Sequence, residues 1–397
     1  MTTNSPLPLA SANHPDRFWR LVGRALSPDL WEEGARLSLH ELGDLPAARN
    51  YRGLDQLLED VLVEGQFGAG HWRLSLPRRL YYGRVRRFMP AAARPLMRRR
   101  LLAPQRSAFP LGWPIEERWA QFMRSALDET LKLDGGGDAH ALPFWPEGAR
   151  MAIVLTHDVE SEHGVEFLPE VLALEERYGF RSLINLVPRE YHIPRGLIAG
   201  AQERGFEIGV HGLDHSGDLF LDEKRFLRRA DGINEQLREW GSVGFRAPFT
   251  HRNPWWMQRL DIEYDSSFFD TDPFESIPGG TLSLWPFFIG RFVELPYTLA
   301  QDHTLIETLR ETSPRIWLEK VDVIARHGGM ALLISHPDYL RKGKGMEIYE
   351  EFLQAMAVRR DAWRALPREV ARWWRRRGEA GPQEPGASAT VDLSIRV

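Results

Sequence analysis

The fold is decided by the stretch Met151-Ala-Ile-Val-Leu-Thr-His-Asp-Val-Glu160. Its first five residues are apolar and follow a segment that contains Pro and Gly, a pattern typical of a buried strand in an α/β sheet. Asp158 and Glu160 come where that strand ends, which is where such folds place their chemistry. Two carboxylates beside a buried strand are costly unless a metal ion, an arginine or bulk water accompanies them, so the stretch predicts one of these three.

The residues from 150 to about 366 alternate between short apolar runs and helix-length segments. This alternation predicts an α/β fold with a parallel sheet, either open or closed into a barrel. The predicted strands are Ala152–Leu155, Ser182–Val187, Glu207–Val210, Val243–Phe245, Phe292–Leu295 and Met330–Ile334. The predicted helices are Phe167–Tyr178, Leu197–Arg204, Asp222–Trp240, Pro314–Arg326 and Met346–Ala365.

The segment before this alternation follows a different pattern. Its apolar residues have helical spacing, and Gly135-Gly136-Gly137 forms the clearest boundary in the chain. We therefore expect four parts. They are a disordered tail at 1–15, a mainly helical, arginine-rich N-terminal region at 16–140, a catalytic domain at 141–370 and a second disordered tail at 378–397.

Composition excludes several classes of protein. The 397 residues include no cysteine, so disulfides are impossible and any metal site must use histidines and carboxylates. A net charge of −4 argues against a general nucleic-acid surface, and we expect no nucleic-acid partner. The first residues lack a signal-peptide pattern, and no stretch approaches the roughly 18 apolar residues of a membrane span, so we expect a cytoplasmic protein.

An arginine-rich stretch, 73–106, contains eleven arginines, and no acid occurs between Gly65 and Ile115. Interleaved aromatic residues are compatible with a peripheral surface that meets anionic lipid headgroups or a phosphorylated sugar carrier. The alternative, which we favour, is a solvated face that pairs with the acidic remainder of the protein.

Side chains capable of chemistry follow the predicted strands. His211 and His215 come after one strand, Arg246 after another and His336 after a third. Because the carboxyl ends of strands share one face in a barrel or a doubly wound sheet, these groups should converge with the two acids of the first stretch. Histidines four residues apart match the spacing of zinc ligands, and one added carboxylate leaves a coordination position for water.

Five motifs carry a resemblance to a known family. They are Thr156-His-Asp158-Val-Glu160, His211-Gly-Leu-Asp-His215, Arg246-Ala-Pro-Phe249, Tyr264-Asp265-Ser-Ser267 and Leu333-Ile-Ser-His336-Pro337. In order and spacing they resemble the motifs of the polysaccharide deacetylases, the NodB-homology, family 4 carbohydrate esterases. The resemblance covers about residues 148–345. It implies a distorted (β/α) barrel and a divalent metal, commonly zinc, that is used to remove acetyl groups from N-acetylated sugars.

The resemblance also implies a role for each matched residue. Asp158 is the general base, Arg246 its ion-pair partner and His336 the general acid. The backbone N–H of Phe249 binds the oxyanion. Independently of the resemblance, His336 must be cationic to act as a general acid. We therefore expect Asp265 either to pair with His336 or to serve as a turn residue before Ser266 and Ser267. The implied metal ligands are Glu160, His211 and His215.

One position departs from the commonest pattern of the family, in which the base and the metal aspartate are adjacent. Val159 stands at the adjacent position here, and the resemblance to relatives with spaced acids makes Glu160 the carboxylate ligand. Two histidines and a carboxylate also suit Co²⁺, Ni²⁺ or Fe²⁺ besides Zn²⁺.

The sequence thus predicts a metal-dependent hydrolase that removes N-acetyl groups from an acetylated sugar, a polysaccharide or its precursor. An ester or ureide hydrolase on the same scaffold is the first alternative, because the same groups serve those reactions. A carbohydrate-binding protein that lost turnover is the second, and Val159 is the feature that favours it. A third makes the arginine-rich stretch the functional part, in a membrane or lipid-carrier adaptor.

Overall fold

The structure is a computed structural model that describes residues 8–74, 77, 80, 109–379 and 391–392. Most of the arginine-rich stretch 73–106 lies outside the described residues, and with it the surface predicted to meet lipid headgroups or a sugar carrier. Within the described part of the chain, no helix combines the length and the apolar character needed to cross a bilayer.

Strand β2 is paired with neighbouring strands along both of its edges. It runs from Met151 to Val159, and all nine residues are buried, which explains its nearly unbroken apolar sequence. Strand β9 (Met330–Ser335) pairs with it in parallel along one edge, and β3 (Leu183–Leu186) pairs in parallel with its second half along the other. The predicted buried strand that leads to the two acids is therefore confirmed.

The described residues form eight further strands, six of which belong to the same sheet as β2. They are β1 (His140–Ala141), β4 (Glu207–Val210), β5 (Gly244–Phe245), β6 (Tyr264–Asp265), β7 (Phe287–Ile289), β8 (Phe292–Glu294), β10 (Ala362–Arg364) and β11 (Val391–Asp392). The order is β9-β2-β3-β4-β5-β6-β8-β7, and only β7 and β8 pair antiparallel along it among the described strands. Strand β10 adds to the first three residues of β2, and β1 pairs with β11 in a separate ladder.

The large sheet closes on itself through the segment that follows β8. The backbone N–H groups of Thr298 and Leu299 donate to the carbonyl of Leu332 in β9, at 3.2 and 3.1 Å. These hydrogen bonds join the two sides of the sheet into a distorted (β/α) barrel, which confirms the predicted fold class.

Helices surround the barrel and precede it. The described α-helices are Pro15–Trp19, Pro28–Ser38, Pro46–Arg49, Leu54–Leu62, Arg118–Leu133, Glu162–Arg177, Leu197–Glu203, Glu223–Trp240, Pro254–Met257, Arg315–His327, Pro337–Leu340, Gly345–Ala357 and Pro367–Glu379. The predicted helix Met346–Ala365 is wrong at its end, because the chain leaves the helix at Ala357 and then forms β10.

The N-terminal helices and the barrel share one continuous apolar core. The ring of Phe18, for example, lies 5.0 Å from the ring of Trp285 in the barrel half of the chain. The predicted tail at 1–15 is wrong for residues 8–15, since Ala10 is fully buried and Asn13 Nδ2 donates to the carbonyl of Phe288 at 2.8 Å. The predicted tail at 378–397 is likewise wrong for Gly378 and its neighbour, which belong to the last helix.

Candidate active site

The predicted site residues converge at the carboxyl ends of the barrel strands. Asp158 lies at the end of β2, His211 directly follows β4, Arg246 follows β5 and His336 follows β9. Parallel strands bring these ends to one face of the sheet, although the residues are far apart in sequence. The convergence that was predicted from strand ends is therefore present in the structure.

Asp158 is held as a buried carboxylate. Its Oδ1 accepts hydrogen bonds from Arg246 Nη1 and Asn185 Nδ2, each at 2.9 Å. Burial alone would raise the pKa of Asp158, but the charge of the fully buried Arg246 outweighs burial and lowers this pKa to about 2. Both donors bind Oδ1, and Oδ2 faces His211 Nε2 at 3.9 Å. Asp158 is thus ionised, with one oxygen oriented toward the histidine pair.

Three side chains beside Asp158 form a candidate metal site. Glu160, His211 and His215 each offer one ligand atom, and these atoms lie within 4.8 Å of one another. Glu160 Oε1 lies 3.0 Å from His215 Nε2, close to the spacing of about 3–3.5 Å that ligands about 2.0–2.1 Å from a tetrahedral ion adopt. The longer glutamate therefore reaches the histidines although Val159 occupies the adjacent position.

The tautomer of His211 also fits a metal ligand. Its Nδ1 lies 3.0 Å from the carbonyl oxygen of Arg246, and a carbonyl can only accept, so Nδ1 carries the proton and Nε2 presents a lone pair. Burial lowers the pKa of His211 to about 4, which keeps the ring neutral at physiological pH. The donor set of two imidazoles and one carboxylate fits a divalent metal with an open position.

His336 has an acidic partner that the sequence reasoning missed. Asp302 accepts from the backbone N–H and from Nδ1 of His336, both at 2.7 Å. Burial alone would lower the pKa of His336, but the carboxylate of Asp302 outweighs burial and raises this pKa to about 10. His336 is therefore held as an imidazolium, and its Nε2 lies 3.8 Å from Glu160 Oε1, on the side of the metal site.

Asp302 was missed because Pro296 interrupts the apolar run after β8, so the predicted strand ended at Leu295. The chain in fact stays alongside β9 as far as Leu299, and Asp302 follows shortly after. The rule that acids at strand ends carry chemistry would have selected this residue if the strand had been extended.

Asp265, the predicted alternative partner, lies elsewhere in the barrel. Its carboxylate accepts from the backbone N–H and hydroxyl of Ser267, at 2.9 and 2.8 Å, and it faces Glu294 across the β6–β8 pair. Burial raises the pKa of both carboxyls, so the pair is stable when it shares a proton. The predicted pairing of Asp265 with His336 is wrong, and its contact with Ser267 agrees with the turn alternative.

A short turn, Pro248–Thr250, packs against the histidine pair. Phe249 and Thr250 both have left-handed backbone conformations, with φ of 58° and 51°, which cost free energy in residues other than glycine. The ring of Phe249 lies 4.3 Å from the ring of His215. This turn carries the backbone N–H that the resemblance implies for the oxyanion.

The same turn is held by a buried side-chain network. Thr250 Oγ1 donates to Glu275 Oε2 at 2.9 Å, and Gln301 Nε2 donates to Glu275 Oε1 at 2.7 Å. Gln301 is the neighbour of Asp302, so adjacent residues support the turn and the partner of His336. Nothing in the sequence indicated this network, because its members come from three separate segments.

His157, which flanks Asp158 in the first motif, serves a different purpose. It is fully buried, its Nε2 lies 2.8 Å from Glu175 Oε1, and its Nδ1 lies 2.9 Å from the hydroxyl of Ser335. Tyr349 donates to the same oxygen of Glu175 at 2.5 Å. This buried network joins β2 to the helices Glu162–Arg177 and Gly345–Ala357.

The chain is similar in structure to proteins assigned as polysaccharide deacetylases. One from Mycobacterium smegmatis is 20% identical, with a TM-score of 0.48, over 62% of this chain and 96% of the other. One from Pseudomonas aeruginosa PAO1 is 18% identical, with a TM-score of 0.46, over 61% and 95%. An allantoinase is 17% identical, with a TM-score of 0.46, over 58% and 92%. No protein-family model and no curated protein matches the chain.

Proposed function

We propose that the protein is a metal-dependent hydrolase that removes N-acetyl groups from an acetylated sugar or its polymer. One observation carries the proposal. A carboxylate held ionised, an imidazolium held protonated and a two-histidine, one-carboxylate ligand set meet at one end of the barrel. Hydrolysis of an amide needs a base for water, an acid for the departing amine and stabilisation of an oxyanion, and these groups supply all three.

Glu160, His211 and His215 would hold the metal. Such an ion supplies a Lewis acid for the acetyl carbonyl and lowers the pKa of a water molecule, to about 7 in zinc enzymes. Asp158 accepts a proton from the attacking water through Oδ2, the oxygen that faces the histidines. Arg246 keeps Asp158 ionised and fixes its orientation through Oδ1.

The second half of the reaction breaks the C–N bond. His336 donates its proton to the nitrogen as the amine departs, and Asp302 keeps the imidazole charged and oriented until that step. The backbone N–H of Phe249 stabilises the negative charge that develops on the carbonyl oxygen. The products are acetate and a free amino sugar.

The test combines metal analysis with acetate release from N-acetylated chito-oligosaccharides. We expect one equivalent of divalent metal in the wild type, loss of metal and of acetate release in His211→Ala, and recovery of wild-type activity when chelated protein receives Zn²⁺. His40→Ala is the matched control, because His40 is an exposed histidine of the N-terminal region that pairs with Glu41.

Other outcomes select the alternatives. Metal without acetate release, together with turnover of an ester or a ureide, would assign the same machinery to those substrates. Absence of metal from both the wild type and His211→Ala would contradict the proposed mechanism and favour a carbohydrate-binding protein.

A further inference from the structure

The N-terminal helical region reaches the active-site turn through one buried ion pair. Glu64 follows the helix Leu54–Leu62, and its carboxylate accepts from Arg252 Nε at 2.7 Å and Nη2 at 2.5 Å. Arg252 lies two residues beyond the turn Pro248–Thr250. This contact joins two segments that are 188 residues apart in sequence.

The pair is built as a rigid connection. Both side chains are fully buried, and the carboxylate of Glu64 also accepts from the backbone N–H of Gly280 at 2.9 Å. The guanidinium of Arg252 lies over the rings of Phe268 and Phe269, at 5.1 and 4.4 Å from their centres. A planar guanidinium that binds a carboxylate through two nitrogens has a fixed orientation, so Glu64 determines where Arg252 lies.

Arg252 also restrains the turn Pro248–Thr250 through a hydrogen bond. Its Nη1 donates to the carbonyl of Thr250 at 3.0 Å. Phe249 and Thr250 are both in strained left-handed conformations, which persist only when surrounding contacts hold them. The hydrogen bond from Arg252 supplies one such contact from the side of the N-terminal region.

The turn Pro248–Thr250 also contacts the candidate metal site. Gly212, between the two ligand histidines, has φ of 68°, and a Cβ at this position would lie 2.7 Å from Cγ of Pro248. The ring of Phe249 packs on His215. A displacement of the turn would therefore move groups that border the reacting atoms.

A second contact joins the N-terminal region to the same part of the barrel. Trp72, also from the N-terminal region, meets Trp255 edge to face at 4.7 Å, just beyond Arg252. The segment from Glu64 to Trp72 thus covers the chain that continues from the turn. The N-terminal region is in contact with the part of the barrel that borders the site.

We propose that Glu64 is a positioning residue for the active site, through which the N-terminal helical region holds the turn Pro248–Thr250 by way of Arg252. This inference rests on the proposed function for its kinetic consequence. It assigns to the N-terminal region a part in turnover as well as in folding.

The experiment compares four variants with the wild type. Glu64→Gln keeps the shape of the side chain and removes its charge. Glu64→Leu leaves Arg252 buried without a partner, and the double variant Glu64→Leu/Arg252→Met replaces the whole pair with apolar groups, which usually restores folding. Asn13→Ala is the matched control. Asn13 also joins the N-terminal segment to the barrel, but it does so through the backbone of Phe288 and not through Arg252.

Three quantities are measured on each folded variant. They are kcat for acetate release, the midpoint of thermal unfolding, and the hydrogen exchange of peptides that span residues 246–256. We expect kcat to fall by about tenfold to a hundredfold in Glu64→Gln and in the double variant, as for other displaced catalytic groups, with faster exchange in the turn. We expect the double variant to regain the unfolding midpoint that Glu64→Leu loses, without regaining kcat, and Asn13→Ala to keep both kcat and turn exchange.

The outcomes separate the inference from the proposed function. A double variant that regains both stability and kcat, or unchanged exchange in the turn of Glu64→Gln, would overturn the inference and leave Glu64 a purely structural residue. A wild type that releases no acetate would contradict the proposed function. The exchange of residues 246–256 then decides the inference by itself, since it requires no substrate.

Discussion

The two carboxylates at the end of β2 have different neighbours, and these neighbours favour different roles in the proposed mechanism. Asp158 is buried against the guanidinium of Arg246, whereas Glu160 lies beside His215 and within 3.8 Å of His336. A carboxylate paired with an arginine is stabilised as an anion, which suits a base. A carboxylate among imidazoles suits a metal ligand.

Asp158→Asn removes the proposed base while it preserves the shape of the side chain. We expect kcat for acetate release to fall by about 10²–10⁴-fold, the usual contribution of general base catalysis, with the metal content unchanged. Asp261→Asn, a change at an exposed acid paired with surface arginines, should keep wild-type kcat. Wild-type turnover in Asp158→Asn would exclude Asp158 as the base.

Asp302→Asn tests the charge of His336. Because Asp302 raises the pKa of His336, its neutralisation should lower that pKa. A general acid must be protonated, so the alkaline limb of the kcat–pH profile should move to lower pH in the variant. Asp265→Asn is the comparison, and it should leave the position of that limb unchanged. A shift with Asp265→Asn and none with Asp302→Asn would restore the pairing expected from sequence.

At the scale of elements, the turn Pro248–Thr250 depends on what packs around it. Glu275 accepts a hydrogen bond from the hydroxyl of Thr250, and Pro248 packs closely against Gly212. The element is too short and too strained to hold this conformation alone. Its geometry is therefore a property of the assembled barrel.

Gly212→Ala should disturb the turn, because the added methyl group would meet Pro248 at 2.7 Å. Gly241→Ala is the control. Gly241 also has a positive φ, of 60°, but has open space around it, so it shows the effect of backbone strain without the clash. We expect both variants to lose about 1 kcal/mol of stability from strain. Only Gly212→Ala should also lose acetate release and metal affinity, as measured by kcat and by metal titration, and equal activity in the two variants would contradict this role of the turn.

At the scale of the whole molecule, the N-terminal helices and the barrel form one core with charged contacts inside it. The pair of Glu64 and Arg252 is completely buried at this boundary. Burial alone would raise the pKa of Glu64, but Arg252 and His71 outweigh burial and lower this pKa from 4.5 to about 2. Folding therefore favours the ionised form of Glu64.

This shift predicts a specific loss of stability in acid. A lowered pKa in the folded state contributes stability above the unfolded pKa, and the contribution is lost as pH falls toward the folded pKa. For Glu64 the window is about pH 4.5 to 2 and the contribution about 3 kcal/mol. Glu64→Gln lacks this titration, so its free energy of unfolding, from urea titrations between pH 6 and 2.5, should fall less steeply than that of the wild type. Parallel curves would contradict the prediction.

The candidate site residues that were predicted from sequence share one property. Asp158, His211, Arg246 and His336 directly follow or end strands, and a strand can be recognised from local composition. The residues that were missed depend on pairing between distant segments. Asp302 was missed because the chain continues alongside β9 as far as Leu299, beyond the end of the predicted strand. Strand β10 was assigned to a helix because its three residues have no clear strand pattern of their own and form a strand only by pairing with β2.

The amino-acid sequence by itself determined the alternation of strands and helices, the apolar run of β2 and the acids and histidines at the strand ends, because these depend on short-range patterns of residue type. Only the tertiary structure decided which groups pair. It brought Asp302 to His336, set Glu294 opposite Asp265 and joined Glu64 to Arg252. The physical reason is that the charge state of a buried group depends on its neighbours in space, and closure of the barrel determines those neighbours.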